Sequence, residues 1–260
     1  MFKNVLNLLK NNPVIIGFHF MYELLILLIV LLLYPNNINQ FGVYGNFNFA
    51  VYFMTMGKLF AACGFIFILS LLFMPGFGHM LSEGVTRGKT SVQAFVEGIN
   101  RFFVRMLLLT LLGMAAAIAF SIIISIIIVP VTIFLTLGGG VAGVQSMSVV
   151  IMILTLIITI FIIPFVVLSF PSILMDDVST TQGIKNGAKA GVKNYWKLVA
   201  ILFMMYLPII VYEIFYFNSA SQGAIITPAY IVLLIICGII SLFLLPILFL
   251  VYRDYRGNNQ

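Results

Sequence analysis

The sequence predicts an all-α, polytopic membrane protein: six transmembrane helices in three pseudo-repeats, each an interfacial helix followed by two spans. Three observations carry this expectation. Hydrophobic residues make up 63% of the 260 and charged residues 8%, with a mean hydropathy of +1.20. A soluble domain carries about 45–50% apolar and about 25% charged residues, so the bilayer has to be the solvent. The apolar residues fall into six runs, each long enough for the roughly 20 residues that cross a hydrocarbon core. The charges crowd into alternate connections, leaving the others empty. No polar stretch is long enough for a separate domain, so 1–260 is expected to form one integral membrane domain.

The spans are expected at about 14–34, 49–75, 104–130, 148–172, 198–217 and 227–252. Lys3 and Lys10 precede the first, as in a signal peptide. The apolar run Val14 to Leu33 is too long for a signal core, and no small-residue cleavage site follows, so it is expected to be retained. The run at 104–137 exceeds one span, and Pro130 with Gly138-Gly139-Gly140 is expected to end the helix there, with a kinked longer helix as the alternative. The returning spans carry Pro75, Pro171 and Pro246 near one end.

Charge sets the orientation. The connections 35–48, 131–147 and 218–226 contain no Lys, Arg, Asp or Glu. Lys3, Lys10, Arg87, Lys89, Arg101, Arg105, Lys185, Lys189, Lys193, Lys197, Arg253 and Arg256 lie in the alternate connections and termini, leaving only Lys58 outside them. Cytoplasmic loops are the ones enriched in Lys and Arg. The expected localisation is therefore the cell membrane, multi-pass, with both termini and both long connections cytoplasmic. The net charge of +6 points to anionic head groups, with no nucleic acid partner expected.

Three basic amphipathic segments run directly into spans: FKNVLNLLKNNPVIIGF, SVQAFVEGINRFFVRMLLL and TQGIKNGAKAGVKNYWKLVAIL. Their junctions at Pro13, Phe103 and Trp196 recur about every ninety residues, a pattern repeat with little identity. In the first, Phe2, Val5, Leu6 and Leu9 share a face. In the second, Val92, Phe95, Val96, Ile99 and Phe103 do, and Glu97, Arg101 and Arg105 follow at i, i+4.

The third segment carries the candidate site. Gly183, Gly187 and Gly191 form one helical stripe, suited to close packing. Lys185, Lys189, Lys193 and Lys197 form another and, with Trp196, are expected to bind lipid or a protein partner. Three helical glycines cost about 3 kcal/mol relative to alanine. Four lysines near an anionic leaflet return about 4 kcal/mol. Such a helix should fold only against a surface.

Glu23, Lys58 and Glu213 lie within spans, where charges are costly and are usually paired or functional. Counting residues from the span ends matches Lys58 with Glu213 as an ion pair, leaving Glu23 to a polar interior. No catalytic constellation is recognisable. Gly138-x-Gly140-x-x-Gly143 opens no strand–helix unit and lacks the following acid, so it reads as a turn. His19 and His79 are isolated, so neither a metal site nor a cofactor is expected. Asp176 and Asp177 are expected to offset the nearby lysines ahead of a helix cap at Ser179 or Thr180. Cys63 and Cys237, inside apolar runs, read as small hydrophobes.

The segments PSILMDDVSTTQGIKNGAKAGVKNYWKLVAIL and GVTRGKTSVQAFVEGINRFFVRMLLL resemble a set of six-span membrane domains. One of these is fused to some glycerophosphodiester phosphodiesterases, and others stand alone. The resemblance implies an integral membrane module. Nothing in these residues resembles the phosphodiesterase domain, so that activity is not implied. The expected function is thus a non-enzymatic module engaging lipid, or a membrane or cytoplasmic protein, through its basic helices. The alternative is a transporter or permease subunit with Glu23, Lys58 and Glu213 lining a pathway.

Overall fold

The computed structural model describes residues 1–33, 49–216 and 228–258; within these, the side chains of 49–52, 124, 127–128, 131–132, 134–154, 156–157, 205, 209–216 and 228–231 are not described. The described residues are helical with no strand. The elements are α1 (Phe2–Asn11), α2 (Pro13–Leu33), α3 (Phe49–Arg87), α4 (Val92–Ile162), a 3-10 turn (Ile163–Phe165), α5 (Ser169–Asp176), α6 (Thr180–Lys193), α7 (Tyr195–Tyr216) and α8 (Pro228–Gly257). Five segments are long and apolar enough to cross a membrane: Pro13–Leu33, Phe53–Arg87, Val92–Ile123, Ile158–Asp176 and Val232–Gly257. The expected sixth, 198–217, falls in α7, whose described apolar part is Tyr195–Met204. The fold is an all-α polytopic one.

α4 takes the alternative of a longer, kinked helix, continuing through Pro130 and Gly138–Gly140 without the expected end. A straight helix would carry Ile162 about 85 Å from Arg105. Two contacts forbid that. The Asp177 carboxylate pairs with Arg105, and the residues from Ile162 to Asp177 reach at most about 40 Å. Thr180 Oγ1 donates to the Arg105 carbonyl while Tyr195 Oη, one α6 length away, donates to the Phe161 carbonyl. α4 therefore doubles back, and equal arms place the reversal within about a dozen residues of position 133. That interval holds Pro130, which removes a backbone donor and bends a helix, and the glycine triplet. The chain turns there by bending the helix.

Two further boundaries need correction. α3 continues twelve residues beyond Pro75 to Arg87, because Phe77, Met80, Leu81 and Val85 find a core to enter. The expected span 148–172 is interrupted at Ile163–Phe165, where Pro164 forces a 3-10 turn before α5 starts at Ser169.

The core sits at the charged end. Val5, Leu8 and Leu9 of α1, Phe77, Met80 and Leu81 of α3, Phe102 of α4, Ile173 of α5 and Phe249 of α8 form one cluster. Leu168, Ala190, Leu198 and Tyr252 form a second beside it. Farther from this end many side chains are exposed, including Leu24, Leu32, Phe60, Ile118 and Ile126. Lipid is the partner for such surface. The buried faces of the surface helices match the expected ones only in part: Val5 and Leu9 are buried and Phe95 packs on the core, but other members of each stripe are not covered. Phe2 and Leu6 are exposed while Leu8 is buried; Val92 and Val96 are exposed while Ala94, Gly98 and Phe102 are buried. A Cβ on Gly98 would lie 2.7 Å from the Pro75 carbonyl oxygen. Small residues bring helices close, and the Val92 and Val96 side of the apolar stripe is left outward.

Candidate functional site: an acidic clasp beneath a lysine face

Asp177 closes α5 in the left-handed region, at φ 54°. Asp tolerates this conformation better than most residues, and it reverses the chain into α6. Ser179 Oγ caps α6, accepting from Gln182 N at 3.4 Å. The turn carries the Asp177 carboxylate to α4. There Arg101 Nη2 donates to Oδ2, and Arg105 Nη1 donates to Oδ1 at 2.6 Å. Arg105 Nη1 also reaches the Val178 carbonyl at 3.3 Å. Both guanidinium carbons lie 5.5 Å from the Phe102 ring centroid. The hydrogen bond from Arg101 is the largest influence on the Asp177 carboxyl; burial opposes it, and with the Arg105 bond added the carboxyl is held below the usual aspartate range.

Asp176 faces the other way, to α8. Its Oδ2 accepts from the buried Tyr252 hydroxyl, which also lies 2.9 Å from Ser172 Oγ. Arg256 Nε stands 3.4 Å from Oδ1 without hydrogen-bond alignment, while its Nη1 donates to the Met175 carbonyl at 3.2 Å. Two adjacent acids thus join α5 to α4 and to α8.

These pairings correct two expectations. The acids engage arginines and not the α6 lysines. The Glu97–Arg101–Arg105 ladder does not form either: Glu97 Oε1 accepts from Gln93, and both arginines turn to Asp177. The reason is geometric. The α5–α6 turn offers one carboxylate to both guanidiniums, and an exposed i, i+4 pair is worth only about 0.3–0.5 kcal/mol.

α6 is sealed on one face and open on the other. A Cβ on Gly183 would strike Ile173, one on Gly191 would strike the Pro164 carbonyl, and one on Gly187 would lie 2.7 Å from the Leu168 carbonyl carbon. Backbone meets backbone at Gly187 and Gly191, while at Gly183 the neighbour is the Ile173 side chain. Opposite this stripe, Lys185, Lys189 and Lys193 are exposed; Lys197, expected on the same lysine stripe, is exposed too but lies on α7, because the helix breaks at Asn194. Lys193 Nζ sits 5.6 Å from the Tyr255 ring centroid. Among the described residues Lys185, Lys189 and Lys197 have no carboxylate partner. Trp196 is 73% exposed and packs edge-on to Tyr195.

Of the intramembrane charges, Glu23 and Lys58 are not brought together. Glu23 lies 3.7 Å from His19 Nε2 and within 3.4 Å of Ser241 Oγ. The Tyr22–Ser70 hydrogen bond sets the register of α2 on α3, placing the exposed Lys58 about 18 Å farther out than Glu23. The Glu213 side chain lies outside the described residues, and with it the Lys58–Glu213 pair. Cys63 and Cys237 are free thiols. Among the described residues no three His, Cys, Asp or Glu side chains come together as metal ligands.

The clasp arginines and Tyr252 had no local signal, since 72 to 76 residues separate Asp177 or Asp176 from them. The His19–Glu23 pair did have one, its i, i+4 spacing. No family model, curated protein or solved structure matches the chain.

Proposed function

We propose that this chain is an integral membrane module whose basic face lies in the cytoplasm and binds anionic lipid head groups through Lys185, Lys189, Lys193 and Lys197, with Trp196 at the interface. One observation carries this reading. α6 spends its glycine face on the protein body and leaves its lysine face outward, and the acids that precede it in the chain, Asp176 and Asp177, are already engaged by Arg101, Arg105 and Arg256. A lysine near an anionic leaflet contributes about 1 kcal/mol. Exposed tryptophan favours the head-group region. The cytoplasmic assignment rests on the clustering of nearly every Lys and Arg at this end.

The triple substitution Lys185→Gln, Lys189→Gln, Lys193→Gln tests it. Purified from mixed neutral and anionic lipid, the variant is expected to retain several-fold less anionic lipid than the parent, measured by mass spectrometry of co-purified phospholipid. Its thermal midpoint should be unchanged, since exposed substitutions alter stability by no more than about 0.5 kcal/mol. Equal retention by parent and variant would overturn the proposal.

A further inference from the structure

A cleft of about 270 Å³ opens between α2 and α8, far from the lysine face. Phe20, Leu24, Leu27, Leu234 and Ile235 wall it, and Glu23 is its acid. Its size is near the lower end for ligand pockets, roughly 300 Å³. Glu23 lies ten residues into α2, about 15 Å along a hydrocarbon core of about 30 Å. Gly238 faces it from α8: a Cβ there would come within 3.3 Å of the Glu23 side chain, so the missing side chain leaves the carboxylate its room.

The carboxylate is poorly satisfied. His19 Nε2 is 2.7 Å from the Gly238 carbonyl oxygen, which can only accept, so this nitrogen carries its proton toward Gly238. Its 3.7 Å separation from Glu23 Oε1 exceeds hydrogen-bond range. Ser241 Oγ has one proton, and the Gly238 carbonyl at 2.9 Å is a nearer acceptor than Glu23 Oε1 at 3.4 Å. Among the described residues no lysine or arginine pairs with Glu23, and Lys58 stands about 18 Å farther out. A carboxylate at this depth calls for a cation or a strong donor.

We infer that the cleft binds a small apolar ammonium, its nitrogen on Glu23 and its hydrocarbon body against Leu24, Leu27, Leu234 and Ile235. A protonated amine supplies the missing charge-assisted hydrogen bond. The half-exposed Phe20 ring beside Glu23 offers a face that attracts cations. The walls need nothing polar from the ligand body. This site is independent of the lysine face and does not require it.

Equilibrium binding of tritiated 1-aminoadamantane and of the uncharged 1-adamantanol to the purified full chain in nanodiscs decides the matter. The amine is expected to bind saturably, roughly ten-fold or more tighter than the alcohol, as for hydrogen bonds to a charged group. Glu23→Gln should weaken the amine by about that factor and leave the alcohol unchanged. Ile235→Trp, filling the cleft, should remove both ligands. Glu23→Asp keeps the charge and should keep the preference for the amine, which preserves the test if Glu23→Gln does not fold. The α6 triple glutamine variant should bind the amine like the parent. Absence of saturable amine binding to the folded parent, equal affinity for amine and alcohol, or full amine binding by folded Glu23→Gln would each overturn the inference.

Discussion

At Asn12 and at Asn194 an asparagine ends a surface helix and donates its side-chain amide to the carbonyl four residues earlier, Leu8 at 2.9 Å and Ala190 at 3.0 Å. An apolar helix begins at the next residue in both cases. From there the two junctions diverge. Asn12 is 2% exposed; its amide also reaches the Gly88 carbonyl at 3.1 Å, and its Oδ1 accepts from Thr90 N at 2.8 Å. The first junction is thereby bonded to the turn between α3 and α4. Asn194 makes only the local bond among its described contacts, and the helix before it is held by glycine packing. The second surface segment has no such junction, since α4 runs from Val92 straight into the membrane. The same design, an amphipathic helix feeding a span, is thus secured by polar bonds in one place and close backbone approach in another. That difference predicts where each breaks.

The largest effect belongs to the glycine stripe. Gly187→Leu would push side-chain atoms into the Leu168–Ser169 backbone, which cannot give way as a side-chain tip can. The expected loss is more than roughly 3 kcal/mol, at or beyond the usual cost of overpacking. It would be read as a lower thermal midpoint in detergent or as failure to purify a monodisperse protein. At Gly113 of α4 nothing lies within 4 Å of an added Cβ, so Gly113→Ala should leave stability unchanged or slightly raised. If the two glycines behaved alike, backbone packing would not be what holds α6.

The asparagines come next. Asn12→Ala strands the Thr90 amide and the Gly88 carbonyl in a part-buried site, and each orphaned group costs about 1–3 kcal/mol. Asn194→Ala removes one local bond, worth about 1 kcal/mol. Denaturation of both variants under one condition should therefore rank Asn12→Ala well below Asn194→Ala. Equal losses would mean that the bonds to Gly88 and Thr90 contribute nothing.

What was legible in the sequence follows the same division. Helical class, the apolar runs that become helices and the gathering of charge at one end depend on periodicity and composition, which act locally. The glycine stripe at 183–191 could be seen for the same reason. Periodicity identifies an apolar face but does not say whether protein or lipid covers it. Val92 and Val96 look like a core stripe and are exposed, while Ala94 and Gly98 look inert and are buried. In a bilayer the large stripe loses nothing by facing lipid, and the small one gains close contact. The Asp176 and Asp177 partners were invisible because folding supplies them from distant segments. In α4, Pro130 and the glycines fall inside the interval where the chain reverses but do not end the helix, because helical bonding persists through it.

The smallest predicted effect concerns the clasp, and its sign is fixed. The folded-state carboxyl of Asp177 titrates below its ordinary value because Arg101 and Arg105 donate to it. Its contribution to stability is therefore fully present above the unfolded aspartate pKa of about 3.9 and disappears as pH falls through the folded value. Between about pH 5 and pH 7 this group adds no slope. The side chain is 41% exposed, so solvent and salt screen the pair and the loss should be modest. Thermal midpoints from pH 5 to pH 3 should fall more steeply for the parent than for Asp177→Asn, whose amide has no charge to lose. High salt should narrow the gap. Because Arg101 and Arg105 also close over the Phe102 ring, the variant at neutral pH leaves two guanidiniums short of one carboxylate but still with an aromatic partner. A neutral-pH loss for Asp177→Asn larger than that for Asn12→Ala would reverse the order of the two attachments and make the clasp, not the first junction, the stronger tie at the charged end.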